Sequence, residues 1–463
     1  MKTFSLALRN LLRNRRRSLT TLLAMIVGAL TILLFGGYSR DIAYGLETGF
    51  VQRSGHLQIQ HKDYFLYGSG NPAAYGIADY QHVIDVVKHD PVLEPMLNVV
   101  TPTLQLGGIA GNFAAGVSRT VLATGMVVAD QNALRQWNDH AMRLTRRPVA
   151  LTGTGADAAV IGGGVARVLE LCAALQVSNC PPPAAAASQE TGTQLPADIA
   201  ALAAQERTAT PSGGNPRIEL LAANVHGAPN VASLDVVKAE AQGIKEMDDV
   251  YVALHLAQAQ RLIYGSERPQ VTAILLQLRH TDQIPAARAR IEELLATAFK
   301  GEPLEIQEFT TLNPFFGQAI RMFDTLFGFI SVLIGTIVLF TVGNTMSTAV
   351  VERTVEIGTL RALGLRRGGI RRLFVCEGLL LGSIGSAAGV MLAWVVALIV
   401  SHSGLYWIPP GWANPVPLSI RLSGETRLML GTGIGLTAVA VLSAWWPARR
   451  AARLNIVDAL RHV

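Results

Sequence analysis

The sequence predicts an α-helical membrane protein with four transmembrane helices and a large α+β domain inserted between the first and second. Three observations predict it. Hydrophobic residues make up 50% of the 463 and charged residues only 16%, against roughly 25% charged in soluble domains. Four apolar runs reach the length of about 20 residues that crosses a bilayer. The arginines flanking those runs are distributed asymmetrically, which orients the chain.

Residues 1–17 come first. Phe4, Leu8, Leu11 and Leu12 fall close together on a helix, with arginines on its other face. That pattern predicts a short amphipathic helix on the inner leaflet; the other reading is a basic tail. The first span, 18–38, holds no charge. It is too long for the core of a cleaved signal peptide, and no small-x-small site follows it. The second span is 322–351, the third 373–401 and the fourth 428–447. Lys2, Arg9, Arg13 and Arg15 to Arg17 precede the first span. Arg353, Arg361, Arg366, Arg367, Arg371 and Arg372 lie between the second and third, in the stretch 352–372. Arg449, Arg450, Arg453 and Arg461 follow the fourth, in the tail 448–463. The loop 402–427 has only Arg421 and Arg427 against Glu425. By the positive-inside rule both termini are inside, and segments 40–318 and 402–427 are outside.

The outside segment is long enough for one or two compact domains. Alternation predicts a strand at His56–Gln60, and Thr272–Leu278 and Leu304–Phe309 also read as strands. Val99–Ile109 and Val117–Gly125 read as paired strands, with GGIAGNF in or near their turn. Helices are predicted near Tyr80–Lys88, over Ile284–Phe299 and over Tyr251–Gly265. Strand–helix–strand patterns therefore lie just after the first span and just before the second. They predict a membrane-proximal part from about 50–115 and 266–318, and a distal part from about 116–265. Within the distal part, Asp157–Leu171 reads as a strand, a glycine turn and a helix, and 181–216 reads as a mobile Pro/Ala/Thr-rich insert. Cys172 and Cys180 form either a disulfide or two free thiols in the insert.

The sequence contains no Gly-Lys dipeptide, so it has no phosphate-binding Walker A loop. Gly162 to Gly164 before a helix invite a phosphate-loop reading, but no Lys-Ser/Thr follows and a tight turn explains them better. Nothing resembles a nucleophile elbow or a paired metal motif, and the ten histidines are scattered. No catalytic, cofactor-binding or metal-binding residue is expected, and nothing points to nucleic acid. Glu377, an acid inside an apolar run, is a functional candidate by default; snorkelling or pairing near Arg371 and Arg372 is the plainer reading. Gly378, Gly382, Gly385, Ser386 and Gly389 recur at spacings of three or four, as in close helix packing within the chain or against another copy.

The stretch Glu352–Phe374 stands apart. A helix over Glu352–Leu363 would carry its carboxylates in the first turns, where the macrodipole favours them, and Gly364 suits a helix stop. The bland reading is a solvated basic connector. Its motifs, however, are specific: Glu352-Arg353-Thr354, Glu356-Ile357-Gly358, Leu360-Arg361-Ala362-Leu363-Gly364 and Glu377-Gly378-Leu379-Leu380-Leu381-Gly382. With Ala7-Leu8-Arg9-Asn10-Leu11-Leu12-Arg13-Asn14 at the start and Pro447-Ala448-Arg449-Arg450-Ala451-Ala452-Arg453 near the end, they resemble the FtsX/MacB-like ABC transporter permease family. GHLQIQ after the first span is similar to the lipoprotein-releasing (LolC/LolE-like) branch. The tail departs from the family pattern, which usually has Pro where Ile456 stands.

The resemblance implies a non-catalytic permease subunit in a bacterial inner membrane, with a periplasmic domain between the first two spans. It implies a dimer with an identical or different second permease, and a cytoplasmic ATPase subunit that binds the ATP and Mg. ATP-driven motion is passed through the helices to the periplasmic side. Carried over, Glu352, Arg353, Glu356, Ile357, Gly358, Arg361, Ala362, Leu363 and Gly364 form the coupling helix, with Ile357, Leu360 and Leu363 as its docking face. By analogy with the lipoprotein branch, Phe35, Tyr38, Phe323 and Phe327 are candidates to face lipid tails, with packing or interfacial aromatics as the alternative. Membrane lipid and a periplasmic chaperone or adaptor are further implied partners. The other branch, a transducer that activates a cell-wall hydrolase, has a much smaller outside domain.

Overall fold

A computed structural model describes the chain except for residues 1, 14, 69, 143–146, 179, 181–214, 244, 408–414 and 455–463. The expected insert at 181–216 therefore lies almost wholly outside the described residues. Two compact units divide the chain. Met1–Gly45, Phe315–Trp407 and Val416–Val463 make one, and Leu46–Pro314 makes up the bulk of the other. Helix α1 (Lys2–Arg13) and helix α2 (Arg15–Ser54) open the chain. At 40 residues, α2 runs well past the expected span of 18–38, because no breaker intervenes before Gly55. That glycine has φ +70, and a Cβ there would lie 2.7 Å from the Leu276 carbonyl oxygen, so only glycine makes this turn without strain.

The second unit is a nine-stranded mixed sheet with short helices. In chain order its elements are β1 (Leu57–His61), α3 (Tyr80–Lys88), β2 (Leu97–Asn112), β3 (Val117–Met126), α4 (Val128–Leu134), β4 (Ala158–Gly162) and α5 (Gly163–Val168). Then come β5 (Arg217–Ala223), β6 (Pro229–Glu240), β7 (Tyr251–His255), α6 (Leu256–Tyr264), β8 (Ala273–Leu278), α7 (Ile284–Thr297) and β9 (Leu304–Glu308). The strand order is β3-β7-β4-β6-β5-β2-β8-β1-β9, with a further β3–β2 pairing. That extra ladder closes six strands, β2-β3-β7-β4-β6-β5, into a ring and removes their free edges.

Strand β2, with 16 residues, serves both halves of the sheet. Its first half pairs with β8, from Leu97 opposite Leu278 to Thr103 opposite Ala273. Its second half pairs with β3, from Thr103 opposite Met126 to Asn112 opposite Val117, and with β5 at Ile109–Gly111. Strand β2 therefore links strands of the predicted proximal and distal parts in one sheet. Strands from the two ends of the second unit's sequence do meet: β1 lies between β8 and β9, with Ile59 opposite both Ile274 and Ile306.

One local expectation changes. Tyr251–Gly265 is not one helix, because its first five residues form β7 between β3 and β4. Val252, Ala253 and Leu254 are all buried there, and no local pattern reveals the strands that cover them. GGIAGN forms the last six residues of β2 and runs up to the turn into β3, near which it was expected. Gly108 is needed because a Cβ would fall 2.7 Å from the Leu221 carbonyl oxygen of β5. Gly162 and Gly164 likewise sit against Asp248 and Asp249, so backbone packing accounts for this glycine run. The Cys172 and Cys180 sulfurs are bonded to each other, with 6.2 Å between the Cα atoms.

His56, at the start of β1, is fully buried in this unit. Its Nδ1 accepts the Leu278 N–H at 2.9 Å, which places the proton on Nε2, 3.3 Å from the Thr281 hydroxyl. The Trp137 ring meets it edge-on at 4.9 Å. Burial pushes the imidazole pKa down to about 4, and the carboxylates of Glu47 and Asp139 offset this only in part. Protonation would also turn Nδ1 into a donor facing another donor. The unfolded chain takes up this proton near pH 6.5 and the folded chain only near pH 4. Stability is thus unaffected above pH 6.5 and falls between pH 6.5 and 4, by up to about 3 kcal/mol. His56→Asn, which keeps an acceptor, is expected to flatten that window in denaturant unfolding measured against pH.

The helical unit is completed by α8 (Pro314–Glu352), α9 (Thr354–Ala362), α10 (Arg367–His402) and α11 (Thr426–Ala452). Helices α2, α8, α10 and α11 are long and apolar enough to cross a membrane. Small residues let α10 approach two neighbours. A Cβ on Gly378 would lie 2.7 Å from Ala444 Cβ, and one on Gly382 3.0 Å from Ala440 Cβ, both on α11. A Cβ on Gly385 would lie 2.6 Å from Met25 Cβ, and one on Gly389 2.5 Å from Ala29 Cβ, both on α2. The predicted small-residue face is thus used within the chain, and Ser386 adds a hydroxyl contact to Thr437 at 3.2 Å. Thr21 joins α2 to α8 through Thr345 at 3.0 Å. Large apolar side chains such as Phe329, Val332 and Phe340 of α8 remain exposed. On α1, Leu11 packs onto the bundle while Phe4, Leu8 and Leu12 are exposed. Gly389→Leu overpacks the α2–α10 contact and is expected to destabilise by about 1–3 kcal/mol, read as a lower midpoint in detergent unfolding; Gly433→Leu, in open space, serves as the control.

Candidate functional site

The break between α8 and α10 holds the densest set of singled-out residues. Helix α8 ends at Glu352, and Arg353 interrupts it at φ −105, ψ 20. Helix α9 then runs over Thr354–Ala362, so the short helix is shorter than the expected Glu352–Leu363 and excludes both ends. Thr354 Oγ1 donates to the carbonyl of Val351 at 2.7 Å, which favours the local turn over a continuing helix. Gly364 at φ +97 ends the segment, as a left-handed stop requires. Helix α10 begins at Arg367.

The side chains of this segment divide sharply. Arg353 is buried, and its guanidinium donates to Glu377 Oε1 at 3.0 Å and to the Asn10 carbonyl at 3.2 Å. Asn10 in turn donates its amide to Glu377 Oε1 at 2.7 Å. Glu377, with its side chain 2% exposed, is thus paired to Arg353 inside the bundle. It does not snorkel toward Arg371 or Arg372, because α1 closes over it from the other side. Ile357 is 3% exposed and packs in the same core as Phe374 and Ala448, and Gly358 is buried as well. The expected docking face of Ile357, Leu360 and Leu363 is therefore split. Ile357 and Leu360 pack inward, whereas Leu363 is 81% exposed.

The remaining residues lie outward. Glu356 accepts two bonds from Arg13 Nη2 at 2.7 Å, and Glu352 pairs with Arg17 at 2.8 Å. Arg361 donates to the Leu454 carbonyl near the end of the described chain. Val355, Ala362, Leu363, Gly364 and Leu365 are exposed. Asn10, Arg13 and Arg17 were not singled out as partners of this segment. The signal was present as an arginine-rich start facing two acids 340 residues on, but nothing local links them.

The four aromatic candidates are half-buried. Phe327 packs on the core, and a Cβ on Gly36 would meet its ring at 2.9 Å, so it belongs to the α2–α8 contact. The Tyr38 ring lies 6.1 Å from Trp407.

Exposed ion pairs such as Arg13–Glu356 contribute about 0–1 kcal/mol. The Arg353–Glu377 pair is different, because removing one partner strands a buried charge. Arg353→Met is expected to destabilise by about 3–5 kcal/mol, and adding Glu377→Leu to recover much of that loss. Thermal unfolding of the three proteins in one detergent measures both effects; additive losses would show that the two residues do not act as a pair.

A family model described as "FtsX-like permease C-terminal" matches residues 328–456. The lipoprotein-releasing system transmembrane protein LolC of Neisseria meningitidis serogroup B is 25% identical over 249 residues, which cover 50% of this chain and 56% of that protein. The macrolide export ATP-binding/permease protein MacB of Hyphomonas neptunium is 29% identical over 238 residues, 50% of this chain and 34% of that protein. MacB 1 of Yersinia pestis bv. Antiqua is 34% identical over 143 residues, 31% of this chain and 20% of that protein. The chain therefore spans only between a fifth and just over half of the length of these relatives. The matched region begins within α8, contains α9, α10 and α11, and so includes both Arg353 and Glu377: residues 328–456 match an FtsX-like permease C-terminal domain, and up to half of the chain is similar to LolC and MacB.

Proposed function

We propose that the chain is the non-catalytic permease subunit of an ATP-driven ABC transporter in a bacterial inner membrane. In this reading α2, α8, α10 and α11 span the bilayer and both termini are cytoplasmic. The unit Leu46–Pro314 lies in the periplasm, and the short helix α9 receives a cytoplasmic ATPase. ATP and Mg bind to that ATPase, outside the residues of this chain. A second permease copy, identical or different, completes the membrane part. Mechanical coupling then changes the periplasmic side, where the substrate is a lipoprotein or another amphiphile. The likeness to LolC across half of the chain supports the lipoprotein branch.

The observation that carries this proposal is α9 itself. It is a nine-residue helix held between two apolar helices by buried contacts on one side, with an exposed apolar and acidic surface on the other. A helix presenting such a face suits a groove on a partner. The docking surface is narrower than the sequence motifs imply: Glu352, Val355, Glu356, Ala362, Leu363 and Gly364. Arg353, Ile357 and Gly358 hold α9 in place. The exposed Val355 and Leu363 favour docking over a solvated connector.

Val355→Asp combined with Leu363→Asp alters only exposed positions. The variant is expected to reach the membrane in normal amount and to lose its ATPase on affinity purification from native membranes. Recovery of the ATPase at wild-type yield would refute the assignment of α9.

A further inference from the structure

At one end of α11 an open cavity of about 810 Å³ lies along that helix, and a smaller one of about 350 Å³ adjoins it between α10 and α11. Arg367 and Arg371 enter from α10, and Arg449 and Arg453 from α11, with Trp445 shared by both cavities. Both arginine pairs are spaced by four, so each pair lies on one helical face. The Arg371 guanidinium sits 5.1 Å above the Trp445 ring. None of these four arginines pairs with a carboxylate among the described residues. The nearby acids are already engaged, Glu352 with Arg17, Glu356 with Arg13 and Glu377 with Arg353. Four cations around the smaller cavity repel one another and have no carboxylate partner among the described residues. Guanidinium forks match phosphate oxygens two at a time. A tryptophan beside them suits the boundary between hydrocarbon and headgroup, and Trp446, 80% exposed, extends that apolar rim.

We propose that this pocket binds the headgroup of an anionic phospholipid, preferentially one with two phosphodiester groups, such as cardiolipin. Basic pockets between membrane helices on the cytoplasmic side suit such headgroups. The charge argues for two phosphates, because one phosphodiester neutralises at most one of four guanidiniums. The apolar lengths of α10 and α11 place acyl chains alongside the site, so the lipid source is favoured over a free polyphosphate. This inference rests on the reading that α10 and α11 span a membrane.

The test is native mass spectrometry of the full chain in detergent, titrated separately with cardiolipin, phosphatidylglycerol, phosphatidylethanolamine and inorganic pyrophosphate. Cardiolipin is expected to bind at least about tenfold more tightly than phosphatidylethanolamine. Arg371→Gln with Arg449→Gln should reduce that affinity about tenfold. The control Arg15→Gln with Arg16→Gln, equal in charge change and outside the pocket, should stay within about twofold. Arg371→Lys with Arg449→Lys keeps the charge but removes the forks, and should lose about threefold, so a general folding defect is not mistaken for a lost site. Equal affinity for all lipids, an equal loss in the control, or pyrophosphate binding as tightly as cardiolipin would each overturn the proposal. Carbonate extraction separates the two levels. Release of the protein from membranes would overturn the spanning reading, whereas retention without lipid preference would overturn only the pocket.

Discussion

The Arg353–Glu377 ion pair, with Asn10 bound to it, is the interaction on which the helical unit turns. Two charges within a bundle of apolar helices are expensive unless each meets the other and further hydrogen bonds. Meeting them forces three separate pieces of chain together: α1 through Asn10, the break after α8 through Arg353, and the first turns of α10 through Glu377. Arg353 is drawn inward at the point where α8 stops. The next nine residues start again as α9, with Ile357 and Gly358 facing the same core. What is left facing outward is decided by that constraint.

The second unit answers a different requirement, that every strand find partners for its backbone. Strand β2 is long enough to meet β8 with one half and to close a ring with β3 and β5 with the other. Gly108 within it lets β5 come close. A single strand thus joins regions that are nearly 200 residues apart in the chain, and they fold as one sheet.

Elements with local signatures were legible in the sequence. The apolar runs corresponding to α2, α8, α10 and α11, the amphipathic stretch of α1, the strands β1, β8 and β9, and the helix stop at Gly364 all follow from local composition and pattern. The stripe from Gly378 to Gly389 was legible as a packing face, but not as one divided between α2 and α11. The segment Tyr251–Gly265 shows where local reading ends. Its strand β7 has no distinct pattern and exists because β3 and β4 flank it.

The sequence by itself determined which segments are apolar enough to span, which flanks are basic, and that a short helix with an acidic start lies between two spans. Those properties depend on residues near one another in the chain. Only the tertiary structure decided that Arg353 and Ile357 are structural while Leu363 is exposed, that Glu377 answers to Arg353, and that arginines from α10 and α11 share a pocket. Each of these depends on a partner tens to hundreds of residues away. Whether a charge is buried and paired or free to bind follows from where that partner is brought.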